Sequence, residues 1–133
     1  MITIRVYTST ILSLFSICLA LGCTMHPNGT PPASTQNPPV YPSARIVQVT
    51  TTKGIKGIPG KRVELETSGA PEAVLAFYTD TLQKDGWLSE RTGDGIHFSW
   101  LDGCPVYGFD VVVKVSDSKV TVIETELTKE YCE

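Results

Sequence analysis

Apolar and polar residues alternate over most of the chain after residue 41, and this pattern predicts strands with one buried face. Residues 61–67 show it most clearly, because Val63 and Leu65 share one side and charged residues occupy the other. Further strands are predicted at residues 45–50, 87–90, 96–101, 106–116 and 119–128. In the last of these the apolar positions change side after Val122, which predicts a β-bulge.

One segment, Pro71–Lys84, has helical spacing, with Val74, Leu75, Tyr78 and Leu82 on one stripe. A proline at its first position and a glycine two residues after its last are typical helix boundaries. The elements follow the order β-β-α-β-β-β(-β) and predict an α+β fold. We expect one antiparallel sheet of about five to six strands, with the single α-helix packed on one face.

The first 22 residues have the composition of a secretory signal. Arg5 is their only charged residue, and an apolar stretch runs from residue 6 to residue 22. Residues 24–40 then contain five of the nine prolines, which is typical of an extended tether. We therefore predict a signal peptide at residues 1–22, a lipidated cysteine and tether at residues 23–40, and a single folded domain at residues 41–133.

The sequence Ala20-Leu21-Gly22-Cys23 resembles the bacterial lipobox, although leucine is commoner than alanine at its first position. The resemblance implies that the signal is cut before Cys23 and that the Cys23 thiol carries diacylglycerol, with fatty acids such as palmitate. The domain would then be held at the cell membrane or outer membrane, facing the periplasm or the exterior. An ordinary signal peptide and an uncleaved anchor helix are the alternatives.

The remaining cysteines fit an exported domain. Cys18 lies inside the signal and Cys23 is the lipid-attachment candidate, so Cys104 and Cys132 remain. Because export exposes thiols to oxidation and the strands next to these cysteines are predicted to form a hairpin, we expect a Cys104–Cys132 disulfide. A metal-binding pair is the alternative, but the chain has no C-x-x-C motif and the domain holds one histidine, His97.

Composition and charge argue against two classes of protein. The net charge is −3, from 11 Lys+Arg and 14 Asp+Glu, which argues against a nucleic-acid partner. Hydrophobic residues make up 41% and charged residues 19%, which excludes an intrinsically disordered chain.

The catalytic and metal motifs G-x-S-x-G and H-E-x-x-H are absent from the sequence, so no catalytic residue, metal site or cofactor is predicted. His97 is expected on the outer face of its strand. Asp102 and Asp110 form a conceivable carboxylate pair, but a turn and a solvent-facing strand position explain them better. Trp100 is assigned to the core and Trp87 to the end of the helix, in preference to stacking on a ligand.

The segment TTKGIKGIPG between the first two strands is a glycine-rich hairpin loop. Its candidate partner-binding residues are Lys53, Ile55, Lys56 and Ile58, because loops on rigid scaffolds often carry function. The alternative is that the isoleucines fold under the loop as a small apolar cluster.

Several short pieces resemble a family of uncharacterised bacterial envelope lipoproteins. They are Tyr41-Pro42-x-Ala44, Thr67-Ser68, Val74-x-x-Phe77-Tyr78-x-x-x-Leu82-x-x-x-Gly86-Trp87 and Gly103-Cys104-Pro105-Val106-Tyr107. The resemblance covers most of the predicted domain and implies a helix-on-sheet fold with no established activity, so no catalytic residue is transferred by it.

These observations leave two classes of function. The first is a lipid-anchored cell-envelope protein that acts as a non-enzymatic binding or assembly module, with the membrane and an envelope protein as partners. The alternative is a small secreted enzyme or protein inhibitor anchored at the envelope. A cleft that joins His97 to a carboxylate would favour the enzyme, and a projecting loop at residues 53–60 would favour protein binding.

The lipid anchor has a direct test. Metabolic labelling with a palmitate analogue should mark the wild-type protein, and Cys23→Ala should abolish the label because the acceptor thiol is gone. Label that persists in Cys23→Ala would refute the assignment.

Overall fold

The computed structural model describes residues 30–54 and 58–132. Within those residues, six antiparallel strands form one sheet with one α-helix packed on it, which confirms the predicted α+β fold. The helix, α1, covers Pro71–Lys84 as predicted. The strands are β1 (Arg45–Thr52), β2 (Gly60–Thr67), β3 (Leu88–Arg91), β4 (Gly95–Trp100), β5 (Val106–Val115) and β6 (Thr121–Glu130).

The strands lie in the spatial order β1-β2-β6-β5-β4-β3. The last strand pairs with the second, in a register that runs from Lys61 opposite Leu127 to Thr67 opposite Thr121. This long-range pairing joins the N-terminal hairpin to the rest of the sheet and makes β1 and β3 its two edges. Helix α1 connects β2 to β3 and packs mainly against β5.

The hydrophobic core lies between α1 and the side of the sheet that faces it. Tyr78 from the helix and Phe98 and Phe109 from the sheet are fully buried. The Phe109 ring centroid lies 6.1 Å from that of Tyr78 and 6.5 Å from that of Phe98. Trp87 and Trp100 are also buried in the core, which confirms the core position predicted for Trp100, while Trp87, predicted at the end of the helix, also belongs to the core.

The β-bulge predicted in the last strand after Val122 is wrong. Strand β6 pairs with both of its neighbours in an unbroken register. Thr121 and Thr125 are buried, and their hydroxyls donate to the carbonyl oxygens of Gly69 at 2.6 Å and Val63 at 3.3 Å. Two positions on the core side of β6 are therefore threonines whose hydroxyls are hydrogen-bonded. A hydrophobicity pattern reads these positions as polar and mistakes them for a change of side.

The irregularity lies in β1 instead, between Ile46 and Gln48. Ile46 is opposite Leu65, and Val49 is opposite Val63. Ile46 and Val49 are three residues apart, yet both belong to the face of the sheet that carries α1, because the bulge absorbs one residue.

The N-terminal segment before β1 contacts the domain. Ser34 and Thr35 are buried in a short 3₁₀ helix, Ala33–Thr35. The Ser34 hydroxyl donates to Asp85 Oδ2 at 2.8 Å and accepts from Trp87 Nε1 at 2.9 Å. The sequence assigns these residues to an extended tether, whereas the structure packs them against the end of α1 through hydrogen bonds that apolar patterning does not reveal.

The predicted disulfide between Cys104 and Cys132 is confirmed, with 5.7 Å between the two Cα atoms. Cys104 lies just before β5 and Cys132 just after β6, so the bridge closes the open end of the β5–β6 hairpin. Residues 1–29, which include Cys23, lie outside the described part of the chain.

Removing this bridge should destabilise the domain. For a sequence separation of 28 residues, loop-closure entropy predicts a loss of roughly 3–4 kcal/mol in Cys104→Ser/Cys132→Ser. This loss of stability is measured by denaturing the full chain in detergent and monitoring the fluorescence of the two buried tryptophans. Wild-type protein treated with a reductant is the control and should behave as the double variant does. An unchanged midpoint would contradict the prediction.

Tyr78 buries a hydroxyl without a hydrogen-bond partner in the described part of the chain. Burial raises the pKa of Tyr78 from its ordinary value of 10.0 to about 12, and a contact with the Tyr41 backbone that falls outside hydrogen-bond geometry offsets part of that shift. Below pH 10 the phenol is protonated in both folded and unfolded chains. Between pH 10 and pH 12 the unfolded chain loses the proton first, so the free energy of unfolding falls as the pH rises.

In the wild type this titration should lower the free energy of unfolding by about 2–3 kcal/mol between pH 10 and pH 12, and Tyr78→Phe should not show that decrease. At pH 7 the variant should be as stable as wild type or more so, because it deletes an unsatisfied buried hydroxyl. Denaturation at pH 7, 10 and 12 measures both effects. Tyr131→Phe, at an exposed tyrosine, is the matched control and should keep the wild-type alkaline profile. An identical profile for Tyr78→Phe and Tyr131→Phe would refute the prediction.

Candidate functional site

An apolar groove of about 280 Å³ lies on the α1 side of the sheet, next to edge strand β1. Its lining comes from the N-terminal segment and from four strands, β1, β2, β5 and β6. The residues are Asn37, Pro38, Pro39, Val40, Ile46, Val49, Lys61, Val63, Leu65, Phe109 and Thr125. None of these belongs to α1, so the groove marks the part of this face that the helix leaves uncovered.

The apolar side chains around the groove are unusually open to solvent. Val40 is 47% exposed, Ile46 is 53% exposed and Val49 is 55% exposed. At the bottom of the groove, Leu65 and Phe109 are buried and belong to the core. Exposed apolar residues that lie side by side over a core typically mark an interaction surface.

Strand β1 also offers an open edge. Among the described residues its one strand neighbour is β2, and seven of its eight residues are exposed. An edge strand has backbone N–H and C=O groups that no neighbouring strand pairs. The groove and the open edge therefore adjoin each other along the same strand.

A positive charge lies at one end of the groove. Lys61, which lines the groove there, is exposed, lies opposite Thr51 and forms no ion pair with the residues that the structure describes. The Arg45–Glu66 ion pair, with 2.6 Å between Nη2 and Oε2, lies near the start of β1 on the other face of the sheet.

The predicted partner-binding loop is placed only in part. Lys53 is exposed directly after β1, and Ile58 is half-buried. Ile55 and Lys56 lie outside the described residues, so their predicted role stays a prediction.

On the opposite face of the sheet, His97 on β4 pairs with Asp110 on β5. The His97 Nδ1 atom lies 2.7 Å from Asp110 Oδ1. A Cβ at Gly108 would lie 2.6 Å from Thr128 Oγ1 and 3.4 Å from His97 Cε1, so glycine at this position mainly makes room for Thr128. The sequence predicts that both side chains lie on the outer face. Asp102, which the sequence offers as a conceivable carboxylate partner for Asp110, is exposed in the β4–β5 loop.

The His97–Asp110 pair has the chemistry of a proton-transfer dyad, since the carboxylate orients the imidazole and leaves Nε2 available. Both side chains are more than a third exposed. His97, Ser99 and Thr128 line a shallow depression on this face. Within the described residues, however, His97 has no hydrogen bond to a serine, threonine or cysteine that would make it a base for a nucleophile.

Ion pairs cover much of the rest of this outer face. The Arg62 guanidinium donates to Glu126 at 2.7 Å, and this hydrogen bond and charge raise the pKa of Arg62. Lys114 lies 3.5 Å from Glu124. Because these pairs are exposed, they keep the face hydrated and contribute little to stability.

Sequence reasoning missed the groove. Its signal was the spacing of Ile46 and Val49, which breaks strict alternation in a strand that otherwise reads as β-branched throughout. That spacing predicts a bulge on an apolar strand. The remaining walls come from β2, β5, β6 and residues 37–40, which only the folded topology brings together.

No protein-family model, curated protein or solved structure matches this chain. Over the residues that the structure describes, there is no group of three metal-ligating side chains. Among the same residues no helix is both long and apolar enough to cross a membrane.

Proposed function

We propose that this chain is a lipid-anchored protein of the bacterial cell envelope and that its domain is a non-enzymatic binding module. The apolar groove beside β1 carries the proposal, because half-exposed Val40, Ile46 and Val49 surround it while the rest of the core is closed. A binding surface of this kind recognises an apolar segment of another envelope protein.

The sequence of the N-terminus supports the location. Ten residues separate Cys23 from Ser34, the first buried residue of the described chain. Fully extended, they span at most about 36 Å. A lipid on Cys23 therefore keeps the groove within a few tens of ångströms of the membrane surface, where envelope partners are concentrated.

The enzyme alternative has the His97–Asp110 pair in its favour. That pair lies on the opposite face of the sheet from the groove, so the two hypotheses make separate predictions. The groove is the stronger candidate because exposed Val40, Ile46 and Val49 surround it beside an open strand edge, whereas His97 lacks a hydrogen-bonded nucleophile in the described part of the chain.

Site-specific photo-cross-linking in living cells tests the proposal. A photoreactive phenylalanine analogue at Val49 should form an adduct of one defined size with an envelope protein. The same analogue at Val115, an equally exposed apolar position away from the groove, is the matched control and should not give that adduct.

Two further variants separate anchoring from catalysis. Cys23→Ala should remove the Val49 adduct by releasing the protein from the membrane, whereas Cys18→Ala should leave it. His97→Gln should also leave it, because the dyad lies on the other face. Adducts that are the same from Val49 and Val115, or none from Val49, would refute groove binding.

A further inference from the structure

We propose that the partner is an extended peptide segment that adds to β1 as an antiparallel strand, with an acidic residue at its N-terminal end placed over Lys61. This deepens the proposed function and rests on it, since it names the chemistry that the groove and its neighbouring edge recognise.

The open edge provides the backbone half of the site. The bulge between Ile46 and Gln48 disturbs the start of β1, but residues 48–52 pair regularly with β2. Their free side presents N–H and C=O groups over five residues. An added strand would lie about 4.8 Å away and hydrogen-bond along this stretch, as in strand-addition complexes.

The groove provides the side-chain half. Val49 faces the groove within this regular stretch, and Ile46 extends the same apolar surface past the bulge. Since alternate side chains of a strand point to the same face, every second residue of the added segment would lie against the groove. Those residues must be apolar, whereas the ones between them face solvent on the outer side.

Charge sets which end of the antiparallel segment carries the acidic residue. Lys61 lines the groove opposite Thr51, near the C-terminal end of β1, and Lys53 follows within two residues of Thr51. Both lysines are exposed in a chain whose net charge is −3, and neither forms an ion pair with described residues. An antiparallel strand begins at this end of β1, so a carboxylate that pairs with Lys61 must precede the apolar residues.

A second copy of the chain is a poorer occupant. Strand β1 and the residue after it carry Arg45 and Lys53 and no acidic side chain. Two β1 strands side by side would supply no carboxylate to Lys61 or Lys53, which disfavours self-pairing. A segment with one carboxylate complements the same strand.

The probe is a fluorescent peptide, acetyl-Glu-Thr-Val-Thr-Val-Thr-amide, and its matched control replaces the glutamate with lysine. Binding to the full chain in detergent micelles is measured by anisotropy, with empty micelles as the blank. The glutamate peptide should bind saturably. Lys61→Glu should weaken its affinity at least about tenfold and should allow the lysine peptide to bind. Lys119→Glu, at the opposite end of the sheet, should change neither affinity.

Hydrogen exchange supplies an independent readout of the backbone half. The glutamate peptide should slow exchange at residues 48–52 and leave β3, the other edge, unchanged. Equal binding of both peptides, indifference to Lys61→Glu, or protection away from β1 would overturn the proposal. Slowed exchange at residues 48–52 that rises with protein concentration and needs no peptide would identify a second copy as the occupant and also overturn it.

This experiment fails separately from the one for the proposed function. If Val49 cross-links a defined envelope protein in cells but neither peptide binds, the groove is a binding site and strand addition is wrong. If the glutamate peptide binds as described but the Val49 adduct is absent in cells, strand addition to β1 is supported and the proposed binding of an envelope protein is wrong.

Discussion

The architecture depends on a mismatch of widths between one helix and a wide sheet. Six strands spaced about 4.8 Å apart span roughly 24 Å, whereas an α-helix with its side chains is about 10–12 Å wide. Helix α1 packs mainly on β5 and reaches β3 and β4. The β1–β2 side of the same face therefore needs another cover or must stay open, and in the part of the chain that the structure describes, both occur.

The N-terminal segment is the partial cover. Ser34 joins it to the helix end through Asp85 and Trp87, and residues 37–40 then run to the edge of the groove as its wall. Pro38 and Pro39 suit this path, because proline favours an extended backbone and needs no hydrogen bond for its nitrogen. The same segment that leads from the proposed lipid anchor thus shapes the candidate binding surface, which links anchoring and recognition through a single stretch of chain.

Local chemistry made most of the fold predictable from the sequence. The helix was placed correctly because Pro71 and Gly86 mark its boundaries, and the disulfide because adjacent strands bring Cys104 and Cys132 together. The errors have physical causes of a different kind. Thr121 and Thr125 occupy core positions through hydrogen bonds to backbone carbonyls, which a hydrophobicity pattern cannot register. The groove was missed because it requires β2 to pair with β6, a contact that no local signal specifies.

The two faces of the sheet also differ in what they cost to expose. The outer face carries the His97–Asp110 contact and exposed ion pairs such as Arg62–Glu126, which water solvates well and which gain little from a partner. The groove face exposes Ile46 and Val49, and burying their apolar area contributes about 25 cal/mol per Å². An added strand would gain this burial together with the backbone hydrogen bonds of β1, while a ligand on the outer face would have to displace existing ion pairs. Burial of Ile46 and Val49 at the edge strand therefore contributes free energy without displacing an ion pair.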